Sequence, residues 1–302
     1  NSSTGKITLS GDISSKYNLY KGRSFWIQNN FNLLTQQDEW YYDSNVNKLY
    51  VYSTTKPVNI TATTIDDNGI YTKYCSDMTI DNLIIRDFNQ SGIWHLSSNQ
   101  GRFTNLDISY TRHRGIWLTS SDNMLLENNH IFNISHAAIL LENADNALVR
   151  LNLIEDIYLL KNFSPIPGSV SNGIFASFHS KSPTIELNTL RNLGFNGIYG
   201  SGTQNFVIDR NFIENTMLSL QDGGAIYAHN RIGDGSKGTI TNNIIIGFPN
   251  FSNPNWDANG IYNDDDAHDI IVSNNSIFGN RRGIFSHNNI RNTYSGNRIY
   301  KP

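Results

Sequence analysis

Two acidic motifs carry the chemistry this sequence could perform. Asp222-Gly223-Gly224-Ala225-Ile226-Tyr227 is followed, 42 residues after its Asp, by Asp264 at the end of Gly260-Ile261-Tyr262-Asn263-Asp264. Asp264 also opens Asp264-Asp265-Asp266-Ala267-His268-Asp269, the densest acidic run in the chain. Carboxyl groups held close together raise at least one pKa, and a carboxylic acid that stays protonated near neutrality can act as a general acid. One such acid and one ionised carboxylate are the minimum equipment for hydrolysing a glycosidic bond, the second group serving as nucleophile or as base for water. The same acidic run also admits a structural Ca²⁺ held by Asp265, Asp266 and Asp269, or a solvated turn with no ligand.

A repeating scaffold would superimpose residues this far apart in the chain. A small residue, then Ile, then a large residue recurs nine times, from Gly69-Ile70-Tyr71 and Gly92-Ile93-Trp94 to Gly260-Ile261-Tyr262 and Gly283-Ile284-Phe285. The base spacing is 23 residues, lengthened to as much as 35 where loops intervene. Some ten residues after each copy comes Ile/Leu-x-x-Asn-x-Ile, as in Leu126-Glu127-Asn128-Asn129-His130-Ile131, which reads as a second strand. Short strands that alternate apolar and polar at this period predict an all-β fold, a right-handed parallel β-helix of nine to ten coils over residues 66–302. The Asn of the second motif forms a column of Asn129, Asn152, Asn188, Asn211, Asn243, Asn275 and Asn297. Stacked about 4.8 Å apart, their amides can donate and accept along the stack. Asn makes up about one residue in seven, and a ladder accounts for an excess over ordinary composition.

If the repeated Ile points inward, the next residue points outward. That column is Tyr71, Trp94, Trp117, Leu140, Phe175, Tyr199, Tyr227, Tyr262 and Phe285, eight aromatics in nine places. Ring faces along a groove suit sugar rings, while the rings can equally lie under loops or stack on each other for stability; for Tyr199, Tyr227 and Tyr262, beside the acidic motifs, substrate binding is expected. Two positions further on, the outward row includes Glu142, His229, Asp264 and His287. Asp222, Asp264 and His229 are therefore the expected catalytic group, with Asp265, Glu142 and His287 lining the site. Extra residues at 158–171, 214–222, 229–237 and 247–258 would wall it, and Trp256 and Asp257 in the last of these would overhang the eighth coil. Arg112-His113-Arg114 and His136, about four coils away, read as a solvated face. His95 and His130 read as single, locally satisfied groups.

Residues 1–65 lack the repeat. Phe25-Trp26-Ile27, Glu39-Trp40-Tyr41-Tyr42 and Lys48-Leu49-Tyr50-Val51-Tyr52 read as antiparallel strands of a small β module, or a cap over the first coil's open edge. The chain opens on Asn1-Ser2-Ser3-Thr4 without Met or a signal sequence, which reads as a processed or excised piece. The last motif strand has no evident polar cap, so the protein is expected to continue or to have that end covered. With 23 basic and 26 acidic side chains the formal charge is −3, and no basic run points to nucleic acid or an anionic membrane. No apolar stretch is long enough to span a bilayer. Cys75 is the lone cysteine, so no internal disulfide forms. Phosphate-cradling glycine loops, a Ser/His/Asp nucleophile pattern and zinc-ligand spacing are all missing.

Asp222-Gly-Gly-Ala-Ile-Tyr followed by Gly260-Ile-Tyr-Asn-Asp264 resembles the Asp-Gly-Gly-x-Ile-Tyr and Gly-Ile-Tyr-x-Asp pair of secreted bacterial β-helix proteins related to glycoside hydrolase families 120 and 141. Glu39-Trp40-Tyr41-Tyr42-Asp43 with Leu49-Tyr50-Val51-Tyr52 is similar to the pair of motifs that precedes the coils in such proteins. The resemblance covers most of residues 20–300. It implies a secreted, carbohydrate-active enzyme with Asp222 and Asp264 as its acidic pair and no required cofactor. The partner it implies is a glycan, for example of plant or algal cell walls, bound by a monomer. The chain departs from these proteins in being shorter, since they carry further N-terminal coils and an inserted β domain. Asp266-Ala267-His268-Asp269 is also similar to the Asp-Pro-His-Asp motif of β-helix alginate epimerases, with the Pro missing. A uronate lyase or C5-epimerase, and a glycan-binding β-helix without catalysis, are therefore the alternative readings.

Overall fold

The structure, a computed structural model, describes residues 27–301 apart from 28, 59, 65, 161–170, 178, 232, 234 and 248–256. The chain divides into two compact units, Asn1–Thr61 and Ala62–Pro302. Among the described residues of the first unit, Trp40–Asp43 pairs antiparallel with Lys48–Val51, as the alternating aromatics predict. Ile27 lies outside any strand, and Phe25 and Trp26 lie outside the described residues.

The second unit is a right-handed parallel β-helix. Its described strands form three sheets of nine, each strand pairing in parallel with the equivalent strand of the adjacent coil or coils. The sense is the one that strand twist favours for parallel connections. The first sheet holds the Gly-Ile strands, among them Arg114–Thr119, Ala137–Glu142, Gly223–His229, Ala258–Asn263 and Arg282–Ser286. The Ile/Leu-x-x-Asn-x-Ile motif is not one strand but two, with a bend between. In the third coil Leu125–Glu127 belongs to the second sheet and His130–Ile134 to the third. Asn128, between them, takes the left-handed conformation with φ 55°, and equivalent positions hold Leu151, Leu187 and Arg210 as well as Asn. The bend thus tolerates several residues, whereas the next position does not.

That next position is the Asn ladder. Asn129 Nδ2 donates to Asn152 Oδ1 at 2.9 Å, and the chain continues through Asn188, Asn211, Asn243 and Asn275 to Asn297 at 2.9–3.0 Å. Each amide also bonds backbone, as Asn211 Nδ2 does to Ile185 O, so the buried polar column is fully partnered. Inside, one apolar side chain from each sheet fills each coil; Ile116, Leu126 and Ile131 of the third coil are all fully buried. Truncating one such rung to Ala costs about 2–5 kcal/mol. At Gly115 an added Cβ would lie 2.6 Å from both Ala138 O and Ile131 Cγ2, which explains the small residue ahead of each Ile.

Candidate active site

Strict register between coils assembles the site. Glu142, Ser177, Ser201 and His229 are paired neighbours in one row of the first sheet. The row continues past the strand ends: Asp264 N–H donates to Ala228 O at 2.8 Å and His287 N–H to Asn263 O at 2.9 Å. His229, Asp264 and His287 therefore stand on successive coils, as the spacing predicts. Glu142 stands three coils from His229 and accepts Trp117 Nε1 at 2.8 Å, so it lies outside this cluster.

Asp264 is the centre. It is 7% exposed; its Oδ1 accepts His287 Nδ1 at 2.8 Å and its Oδ2 accepts Tyr227 O–H at 2.8 Å. Burial alone opposes its ionisation, but the Asp265 backbone N–H, His287, Tyr227 and Tyr262 together hold the carboxyl below the usual range. The Asp264 bond in turn raises His287 toward its cationic form. Burial, followed by the Asp264 carboxylate, pushes the Tyr227 and Tyr262 hydroxyls far up, so both remain donors.

Asp222 behaves in the opposite way. It caps the start of Gly223–His229 with φ 69° and donates its N–H to Asp257 O at 2.9 Å. The two glycines behind it allow close approach: Gly224 N–H reaches Asn196 Oδ1 at 2.8 Å, and a Cβ on Gly223 would collide with that same oxygen. The surrounding protein, then the charges of Asp264 and Asp257, raise the Asp222 carboxyl above its ordinary value. Asp222 opens the strand Gly223–His229 of the seventh coil, and Asp264 follows the strand Ala258–Asn263 of the eighth. Asp257 sits one coil beyond Asp222 and pairs with Arg282 Nη1.

The remaining residues surround this pair. His229 Nδ1 lies 3.3 Å from both Tyr199 Oη and Ser201 Oγ, and burial holds the imidazole toward its neutral form. Asp265 is buried; it accepts Asn288 Nδ2 at 3.0 Å and pairs with Arg231 Nη2. Ser201 stands in the same outward row as His229, whereas Asn288 carries no motif and is visible only through its contact with Asp265. Trp256 lies outside the described residues.

Three expectations change. First, the aromatic column does not offer ring faces. Phe175, Tyr199, Tyr227, Tyr262 and Phe285 stack on one another at 4.6–4.9 Å, as do Tyr71, Trp94 and Trp117 at 4.5–4.8 Å. The coil spacing is itself a ring-stacking distance, so the faces are consumed and Tyr199 and Tyr262 are 5% and 4% exposed. Only edges and hydroxyls remain for a ligand. Second, Asp265, Asp266 and Asp269 do not converge on a calcium cage. Asp269 is clamped by His268 and by Arg291 at 2.7 and 2.8 Å, Asp265 by Arg231, and Asp266 is exposed. Among the described residues the group whose ligand atoms do converge is Asp264, Asp265 and His287, and its carboxylates already take the donors just described. Third, His113, Arg114 and His136 are not a solvated face: Arg114 is 7% exposed and His136 fully buried, while Arg112 alone is exposed. His130, by contrast, is satisfied by Glu155 at 2.9 Å.

The profile of a family described as a right handed beta helix region matches residues 42–190. No curated protein matches the sequence. Among solved structures, the A-module of mannuronan C-5 epimerase AlgE6 from Azotobacter vinelandii is similar, with a TM-score of 0.62 at 14% identity over 74% of this chain and 58% of that module. An alginate lyase from Paenibacillus superposes with a TM-score of 0.54 at 12% identity, covering 77% of this chain and 98% of the lyase. The tailspike of Escherichia coli bacteriophage HK620, in complex with a pentasaccharide, gives a TM-score of 0.53 at 10% identity over 78% of this chain and 44% of the tailspike. These likenesses establish the β-helix. The chain spans little more than half the length of the epimerase module it matches. Among the described residues no helix is long and apolar enough to cross a membrane.

Proposed function

We propose that the chain is a glycan-active enzyme, a glycoside hydrolase whose working pair is Asp222 and Asp264. One observation carries the reading: two carboxyls on neighbouring coils are displaced in opposite directions, Asp222 up, by burial and then by the charge of Asp264, and Asp264 down, by the hydrogen bonds it accepts. That is the division of labour hydrolysis needs, with Asp222 donating its proton to the leaving oxygen while Asp264, already ionised, attacks the anomeric carbon or takes a proton from water. Tyr227 and Tyr262 fix the orientation of Asp264, and His287 supplies its counter-charge. Asp265, locked to Arg231, and neutral His229 shape the field. Tyr199, Tyr227 and Tyr262 meet the sugar with hydroxyls and ring edges. Asp257 serves by keeping Asp222 protonated. Support also comes from the fold relatives, whose names describe alginate or mannuronan enzymes and a pentasaccharide-bound tailspike. A secreted protein acting on wall glycan fits this reading.

A second reading has its own support. His229 is held neutral beside Tyr199 and Tyr227, with Arg231 and His287 nearby as cations. A neutral base, a hydroxyl acid and a charge neutraliser are the parts of uronate β-elimination or C5-epimerisation.

The experiment is release of reducing ends from a panel of neutral and acidic polysaccharides by the wild type, Asp222→Asn and Asp264→Asn. Reducing ends without ultraviolet absorbance, lost in both variants, support hydrolysis. Absorbance from an unsaturated product supports the second reading, and an active double variant refutes the first.

A further inference from the structure

On the same sheet as the candidate site, four coils toward the N-terminus, a buried corner has polar atoms that the chain leaves without partners. Arg114 opens the third coil's strand, and its guanidinium lies over the Trp117 ring at 4.0 Å. Its Nη1 lies 3.1 Å from His113 Nδ1. Arg114 Nε is buried with no partner, as are Ser91 Oγ, its register neighbour on the second coil, and both ring nitrogens of His136. Four of the nine unpartnered buried side-chain atoms among the described residues thus fall in this one corner. Native proteins rarely strand buried polar groups, and each such group calls for an explanation.

The ninth coil shows what the arrangement lacks. Arg282 occupies the same place in its repeat and covers Phe285 at 4.2 Å, as Arg114 covers Trp117. Arg282, however, is paired with Asp257 and donates to Asn259 Oδ1 at 3.2 Å. Arg114 has no carboxylate within ion-pair distance among the described residues; Glu142, the acid whose field reaches it, accepts from Trp117 instead. Burial lowers Arg114 only to about 10, so it is charged at neutral pH. The imidazoles beside it carry no charge, since burial takes His113 down to about 4 and His136 to about 3. An unpaired, desolvated guanidinium is costly, and an anion supplied by a ligand removes that cost.

We propose that the Arg114 corner is an anion subsite that takes the oxyanion of an acidic sugar residue, a carboxylate or a sulfate ester, bound on the guanidinium. It lies about 19 Å from the seventh coil, four coil rises away. A glycan laid along the sheet would span that distance. This subsite rests on the glycan-active reading and narrows its substrate to an acidic chain.

The test is calorimetric titration of the wild type, Arg114→Gln and Arg114→Lys with three probes: a short oligogalacturonate, a sulfated carrageenan oligosaccharide and a neutral xylo-oligosaccharide. The wild type is expected to bind an acidic probe, in a salt-sensitive manner, and to prefer it to the neutral one. Whichever acidic probe binds identifies the oxyanion. Arg114→Gln should weaken that probe about 10- to 100-fold, the range of one charged hydrogen-bonded contact, and leave the neutral probe unchanged. Its thermal midpoint should hold or rise, because an unpaired buried charge is gone, and Arg114→Lys should recover part of the affinity. Equal affinity for neutral and acidic probes in the wild type, or no change in Arg114→Gln, overturns the subsite. Asp264→Asn separates the two claims. If it still binds the acidic probe but turns nothing over, both stand. If the wild type binds acidic probes through Arg114 and cleaves no glycan, the hydrolytic reading fails alone. If neutral glycans are cleaved and Arg114 is irrelevant, the subsite fails alone.

Discussion

The two ends of one sheet treat the same ingredients differently. In coils seven to nine three acids are paired with cations of a neighbouring coil: Asp264 with His287, Asp265 with Arg231, Asp257 with Arg282. In coils two to four an arginine and a histidine are buried without such partners. Both ends stack an arginine on an aromatic ring three residues further on. The contrast teaches that the repeat sets where a cation sits, while its counter-ion depends on what a neighbouring coil happens to carry. A self-neutralised cluster can tune proton affinities, and an unneutralised one can recruit an anion.

The sharpest way to break this contrast is at Asp264. Asp264→Asn keeps shape but removes the ionised group, and turnover should fall about 10²- to 10⁴-fold, the usual weight of an acid or base. Circular dichroism should show the β-helix retained. Unchanged turnover would remove the catalytic cluster from the comparison. Asp257→Asn comes next. It removes a negative charge that raises Asp222 and frees Arg282 to lower it. Activity should rise with pH as Asp264 ionises and fall as Asp222 loses its proton. In Asp257→Asn the alkaline limb should therefore move to lower pH with the acid limb in place. An alkaline limb that stays put in the pH profile of kcat/KM would detach Asp222 from the mechanism.

Stability sharpens the comparison further. Arg114→Gln and Arg282→Gln change equivalent positions, yet the first should raise the thermal midpoint and the second lower it, each by an amount on the order of 1 kcal/mol. Calorimetric melting checks the sign; a loss in both would mean that Arg114 is already neutralised. The smallest effect concerns His287. Its folded pKa is raised, so its contribution is full below the unfolded imidazole value and disappears as pH rises through the folded one. Asp264, whose folded pKa is lowered, contributes above the unfolded carboxylate value and loses that contribution as pH falls through the folded one. The melting difference between wild type and His287→Gln should therefore be widest between these limits and close on the alkaline side. A difference that persists at high pH would show that packing, not charge, ties this residue to the cluster.

Much of this architecture can be read from residue spacing alone. A period of 23 with a small residue, Ile and a large residue allows only a stacked coil, and stacking forces Asn129 to Asn297 into a ladder and His229, Asp264 and His287 into a row. Register is legible in the chain, because the repeated inward Ile fixes how each coil pairs with the next and backbone pairing at about 4.8 Å carries it along the stack. Direction and counter-ion are not. That aromatic faces spend themselves on one another, that Asp269 goes to Arg291 while Asp264 gathers His287 and two tyrosines, and that His136 is buried all depend on contacts between coils and on how deeply each corner is covered. Desolvation and pairing energies are set by the full three-dimensional surroundings of a group, so only the folded helix could decide which acid is pushed up, which is pushed down and which cation lacks a counter-ion.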